Sequence, residues 1–234
     1  MKKIILFLAV ITFVGCTTQK KVVQTTTPAT PTFKYLALGD SYTIGESVCE
    51  SCSFPIQLLE KIANEEKEKV ALQIIAKTGW TTSDLIKGIK DSLPQGNQDL
   101  VTLLIGVNNQ YQGKDFSLYQ EDFPALLTKA VQLAGGDTNR VIVISIPDYA
   151  YTPYGQKKPD PKKISTEIDQ YNAFAKKIVE ANGVSFVNIT NISREGLNNP
   201  ALIASDGLHP SKECYSSFVS QILFEVKKKN ILSK

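Results

Sequence analysis

The chain of 234 residues carries one histidine, His209, within Asp206-Gly207-Leu208-His209-Pro210. Three other short stretches each follow an apolar run: Gly39-Asp40-Ser41-Tyr42, Thr78-Gly79-Trp80 and Gly106-Val107-Asn108-Asn109. Taken singly they are ordinary. Ser41 would cap a helix, Gly79 and Asn108 would form turns, and His209 would sit on the surface. Taken together they are the parts that acyl-ester hydrolysis needs: a nucleophile, a base, a group that orients the base, and donors for an oxyanion. Ser41 supplies a hydroxyl and His209 the imidazole. Asp206, three residues before His209, is placed to accept the other ring N–H. The backbone N–H groups of Ser41 and Gly79 and the side-chain amide of Asn108 offer three donors. A lone imidazole excludes any multi-histidine metal site.

These residues need a frame that gathers them. Five apolar, mostly β-branched runs predict buried strands at Tyr35–Leu38, Val70–Ala76, Leu100–Ile105, Val141–Ile146 and Val184–Ile189. Helical spacing fills the gaps. Leu58, Leu59, Ile62 and Ala63 form one stripe, and Leu85, Ile86 and Ile89 another. Phe123, Leu126, Leu127, Ala130 and Val131 follow, with Ser117 and Gln120 as a candidate capping box. Ile164, Ile168, Tyr171, Ala175 and Ile178 make a fourth stripe, and Tyr215, Phe218, Val219, Ile222 and Val226 the last. Strand–helix alternation predicts a doubly wound α/β sandwich, whose binding crevice lies beyond the carboxyl ends of the strands. All the chemical residues above fall at that edge.

The run Ala37-Leu38-Gly39-Asp40-Ser41-Tyr42, then Gly79, Gly106-x-Asn108 and Asp206-x-x-His209-Pro210, resembles the SGNH/GDSL hydrolase family in motif order over about Phe33 to Leu232. The resemblance implies a three-layer α/β/α, flavodoxin-like sandwich on a five-stranded parallel sheet. It also implies Ser41 as nucleophile, Gly79 and Asn108 as oxyanion-hole partners, Asp206 with His209 completing a triad, and no metal or organic cofactor. Tyr42 replaces the leucine of the family's name. Asn109 stands where many members carry Asp.

The N-terminus reads as an address. Met1-Lys2-Lys3 is basic and Ile4 to Val14 is almost entirely apolar, too short for the roughly 20 residues that span a bilayer. The run ends Phe13-Val14-Gly15-Cys16, which looks like a bacterial lipobox with Cys16 as the lipidated residue. Residues 1–15 are then a signal peptide. Residues 16–32 are a lipidated cysteine and a Thr/Pro-rich tether, reaching ~20–24 Å as a random coil. Residues 33–234 form the hydrolase domain. This places a lipid-anchored domain in the bacterial cell envelope, outside the cytoplasm. Composition is ordinary for a globular chain at 42% hydrophobic, 21% charged and net +3, without a basic stripe, so nucleic acid is not an expected partner. A membrane, reached through the anchor, and a small-molecule, lipid or carbohydrate ester are.

Cys49-Glu50-Ser51-Cys52 reads as a short structural disulfide or a free thiol pair, or as the CxxC of a thiol oxidoreductase. A catalytically silent binding lipoprotein on the same fold is a further alternative. Three aromatic residues are candidate substrate contacts: Trp80 beside Gly79, Tyr111 after the asparagines, and Tyr149, which opens a long loop from Asp148 to Pro161. Uncharged aromatic walls suit a fatty acyl chain or a sugar ring equally.

Overall fold

The computed structural model describes residues 33–66 and 69–232. The expected signal peptide, Cys16 and the expected tether lie outside the described residues. Five strands form one parallel sheet: β1 (Phe33–Gly39), β2 (Val70–Ala76), β3 (Leu100–Leu104), β4 (Val141–Ile144) and β5 (Ser185–Val187), in spatial order β2-β1-β3-β4-β5. That is the flavodoxin-like order, whose topological switch point lies between β1 and β3. Register is in phase there, with Tyr35 opposite Leu100 and Gly39 opposite Leu104.

Between and after the strands, the described residues form eight α-helices: α1 (Ser41–Ile44), α2 (Phe54–Glu66), α3 (Thr82–Ser92), α4 (Val107–Tyr111), α5 (Phe116–Leu133), α6 (Pro161–Ala181), α7 (Thr190–Ser193) and α8 (Lys212–Lys228). Neighbouring pairs α2 with α8, α3 with α5, and α5 with α6 show how they divide. Right-handed crossovers put α2 and α8 on one face and α3, α5 and α6 on the other. The central strands are therefore covered twice. Leu36, Ala37, Leu38, Val101, Leu103 and Leu104 are wholly buried, which is why these runs are continuous rather than alternating.

Two predicted strands stop early for a visible reason. The Ser145 N–H still reaches the Val187 carbonyl, but the Ile146 N–H donates to the Asn172 side chain at 2.8 Å, so the ladder ends. The capping residue of α5 also differs from the expected Ser117–Gln120 box. Asp115 is the N-cap, its carboxylate accepting the Ser117 N–H at 2.8 Å. Cys49 and Cys52 are joined by a disulfide, and Cys214 is a free, buried thiol. The bridge closes a short 3-10 turn beyond α1, away from any strand-to-helix turn where a redox pair would act. The Cys214 thiol is pushed up to about 12 by burial and is inert as a nucleophile.

Candidate active site

The first residue after β1 that faces the crevice is Ser41, which opens α1. Asp40 caps that helix, its Oδ1 accepting the Tyr42 N–H at 3.0 Å. The turn is tight enough to require glycine at position 39. A Cβ there would stand 2.1 Å from Thr43 Oγ1 and 2.5 Å from the Leu104 carbonyl oxygen. Close strand-to-helix packing thus holds Ser41, only 5% exposed, at the β1–β3 switch point.

His209 arrives from the far end of the chain, on the loop before α8. Asp206 organises that loop. Its Oδ1 accepts the backbone N–H groups of Leu208 and His209, both at 2.9 Å. Its Oδ2 lies 2.5 Å from His209 Nδ1 and accepts the Ser47 hydroxyl at 2.7 Å. Burial pushes the Asp206 pKa up, but the hydrogen bonds from His209, Ser47 and the two N–H groups outweigh it and hold the carboxyl at about 2. The group facing Nδ1 is therefore a carboxylate at any working pH. His209 is fixed on its other side by an edge-on contact with Tyr42, ring centroids 5.6 Å apart.

Gly79 and Asn108 come from the ends of β2 and β3. Gly79 has φ +82°, with open space where a Cβ would sit. A side chain there would be strained by the backbone and would project into the crevice. Asn108 Nδ2 donates to the Trp80 carbonyl at 3.0 Å, which uses one of its two hydrogens and leaves the second. Gln112 Nε2 donates to the Gly79 carbonyl at 2.8 Å. Two side chains of the β3 loop thus clamp the Gly79–Trp80 turn. Among the described residues, neither the Ser41 nor the Gly79 N–H is taken up by another hydrogen bond.

Asn109 has a structural task. It is fully buried, accepts the Thr82 N–H at Oδ1 (3.0 Å) and donates from Nδ2 to Thr82 Oγ1 (2.8 Å). A carboxylate in its place would lack the donor for the second bond. Thr82 Oγ1 in turn donates to Asp122 at 2.8 Å, so the asparagine pins the start of α3 to the β3 loop.

One cavity of about 230 Å³ joins these parts. Its lining includes Ser41, Gly79, Asn108, Tyr111, Tyr149 and His209. Tyr149 is buried, donates its hydroxyl to Gln110 Oε1 at 2.9 Å, and is pushed up to about 12 by burial. Tyr111 is 45% exposed at the rim, its hydroxyl 2.5 Å from that of Tyr154. The Trp80 side chain turns elsewhere. It is absent from the lining, and its indole packs on α3, where a Cβ on Gly88 would meet the ring at 2.3 Å. A larger groove of about 410 Å³ runs between α3 and α5, lined by residues such as Ile86, Ile89 and Leu93, and holds no nucleophile–base pair.

The loop from Asp148 to Pro161 is held down rather than loose. Asp148 is wholly buried and accepts from Ser165 Oγ at 2.5 Å and Arg194 Nε at 3.0 Å. Neither partner is visible in sequence, because both lie far along the chain with no periodicity to mark them. The Tyr154 N–H donates to the Gly207 carbonyl at 2.9 Å, so this loop also braces the Asp206–His209 loop. Among the described residues, no group of three acidic, histidine or cysteine side chains is placed to hold a metal ion.

Residues 37–216 match the model of the GDSL-like Lipase/Acylhydrolase family. Among solved structures, the chain is similar to a lipase/acylhydrolase from Enterococcus faecalis, with 22% identity and TM-score 0.64 over 84% of this chain and 96% of that one. It is similar also to Axe2, an acetylxylan esterase from Geobacillus stearothermophilus, with 20% identity and TM-score 0.62 over 84% and 94%. A shorter match, 28% identical over 93 residues, is to the secreted effector protein SseJ of Salmonella typhimurium strain LT2; it covers 38% of this chain and 22% of that protein's length.

Proposed function

The chain belongs to the GDSL-like lipase/acylhydrolase family, and from that premise we propose that it cleaves carboxylic esters through a Ser41–His209–Asp206 triad and an acyl-enzyme intermediate. His209 takes the Ser41 proton at Nε2 as Oγ attacks the ester carbonyl. The Asp206 carboxylate holds Nδ1–H and stabilises the imidazolium that forms. The carbonyl oxygen, now an oxyanion, draws on the Ser41 and Gly79 N–H groups and the free hydrogen of Asn108 Nδ2. The alkoxide leaves with the proton from His209. A water then attacks the acyl-enzyme by the same route in reverse, and Ser41 is regenerated.

The observation that carries this reading is the 2.5 Å approach of His209 Nδ1 to Asp206 Oδ2 at the wall of a cavity that Ser41, Gly79 and Asn108 also line. Ser41→Ala is expected to abolish hydrolysis of p-nitrophenyl acetate and labelling by a fluorophosphonate probe while leaving the melting curve unchanged. A Ser41→Ala protein that hydrolyses the ester at the original rate overturns the assignment.

For the ends of the substrate, the cavity favours a short acyl group. Tyr111, at the rim, offers a face for a sugar or other ring-bearing alcohol. The acetylxylan esterase among the similar structures acts on an ester of that type. The anchor is part of the same proposal. The basic start, the short apolar run and Cys16 support a signal peptide over residues 1–15, a lipid on Cys16 and a tether to residue 32. The domain from residue 33 onward then works in the bacterial cell envelope. Loss of radiolabelled palmitate incorporation in Cys16→Ser is the expected result, and undiminished incorporation overturns it.

A further inference from the structure

We propose that Ser47 is a positioning residue for the triad acid, coupling Asp206 to the turn that carries the nucleophile; this rests on the assignment of Ser41, His209 and Asp206 given above. Three of the four hydrogen bonds to the Asp206 carboxylate come from its own loop: the N–H groups of Leu208 and His209 and the His209 ring. The fourth, from Ser47 Oγ at 2.7 Å, crosses 159 positions of sequence. It lands on Oδ2, the same oxygen that faces His209 Nδ1.

Ser47 is held where it is by the nucleophile's own turn. The Ser41 carbonyl accepts the N–H groups of Gly45 (3.2 Å) and Glu46 (3.1 Å), which closes α1 directly before Ser47. The Val48 N–H then donates to the Gly45 carbonyl at 3.3 Å, and the Cys49–Cys52 bridge fixes the chain immediately beyond. The Glu46 carboxylate accepts from Thr78, next to Gly79. One short segment thus touches the nucleophile's helix, the acid's carboxylate and the oxyanion loop. Ser47 itself sits at φ +65°, a conformation that costs a non-glycine residue energy and that glycine or asparagine would adopt more readily. A serine kept in a strained backbone, with its hydroxyl spent on a catalytic carboxylate, is accounted for by that hydrogen bond.

The strain also supplies the test. Ser47→Gly relaxes the backbone and deletes the hydroxyl. Ser47→Asn tolerates the same φ and retains a donor. With p-nitrophenyl acetate, Ser47→Gly is expected to lower kcat about 3- to 10-fold with KM unchanged, as for a lost hydrogen bond to a charged acceptor at a partly exposed site. Its acid limb in the pH–kcat profile is expected to move upward, because Oδ2 then concentrates its charge on His209. Ser47→Asn is expected to recover most of the rate. Wild-type kcat and an unmoved acid limb in Ser47→Gly would overturn the inference, as would equal losses in both variants with the limb unmoved. Ser41→Ala, run in parallel, separates the two levels. If it remains active the triad assignment fails, and if it is inactive while Ser47→Gly is normal only the role of Ser47 fails.

Discussion

His209 Nδ1 and Asp206 Oδ2 stand 2.5 Å apart, and the other oxygen of the same carboxylate holds the backbone of both Leu208 and His209. Asp206 therefore builds the loop that presents the His209 imidazole.

Replacing Asp206 with Asn should lower kcat by ~10³–10⁴, because the amide favours the wrong imidazole tautomer. The carboxyl is held near 2, below its ordinary value, so its contribution to stability is complete above about pH 4 and is lost as pH falls toward 2. Melting temperatures from pH 5 down to 2 should fall more steeply for the wild type than for Asp206→Asn. Parallel slopes would show that the hydrogen bonds to Asp206 do not depress its pKa.

Removal of the Asn108 amide should cost on the order of 10²–10³ in kcat. Gln112→Ala tests the same loop indirectly. It removes the donor to the Gly79 carbonyl and should cost about 2- to 10-fold, mostly in kcat. Steady-state rates on one short ester, compared across the two variants, check the order. A larger loss in Gln112→Ala than in Asn108→Ala would reverse the assigned roles.

Asp40 is wholly buried beside Ser41, and its Oδ2 has no hydrogen-bond partner among the described residues. Burial raises its pKa to about 7, only partly offset by the Tyr42 and Asp40 N–H groups. A carboxyl raised in the folded state favours folding while protonated, and that advantage is lost as pH climbs from about 4 through 7. Asp40→Asn, which keeps the helix cap, should be more stable than wild type by ~1–3 kcal/mol at pH 8 and about equal to it at pH 4. Urea unfolding at the two pH values measures the difference; equal stability at pH 8 would show that the buried carboxyl is not costly.

A cavity of about 230 Å³ is small beside the ~300–1,000 Å³ of common ligand pockets. Rates on p-nitrophenyl esters should peak at acetyl to butyryl and drop at longer chains. Tyr111→Ala should open the rim and recover activity on octanoyl esters by about threefold or more, about 0.7 kcal/mol in barrier. A wild type that prefers octanoyl would refute this acyl limit.

How far the sequence shows all this depends on the kind of signal. The β1 and β3 cores are legible because both sheet faces are covered, so Leu36–Leu38 and Leu103–Leu104 read as unbroken apolar runs. Gly39, Gly79, Asn108, Asp206 and His209 are legible because each belongs to a short motif in the connection that follows an apolar run, at the sheet edge where this fold gathers its chemistry. Ser47, Gln112 and the Asp148–Arg194 pair are not. Their partners lie 159, 33 and 46 residues away, and a lone polar side chain in a loop has no period that points to its partner. Trp80 misleads because adjacency to Gly79 says nothing of direction, and at a reversed turn the next side chain swings toward α3.

The chain enters the sheet at Phe33 on one edge and reaches Ser41 past the other, a strand of seven residues and about 23 Å later. The beginning of the described fold and Ser41 are thus separated by the full length of a strand, so a fusion made directly before Phe33 starts at the opposite end of the sheet from that hydroxyl.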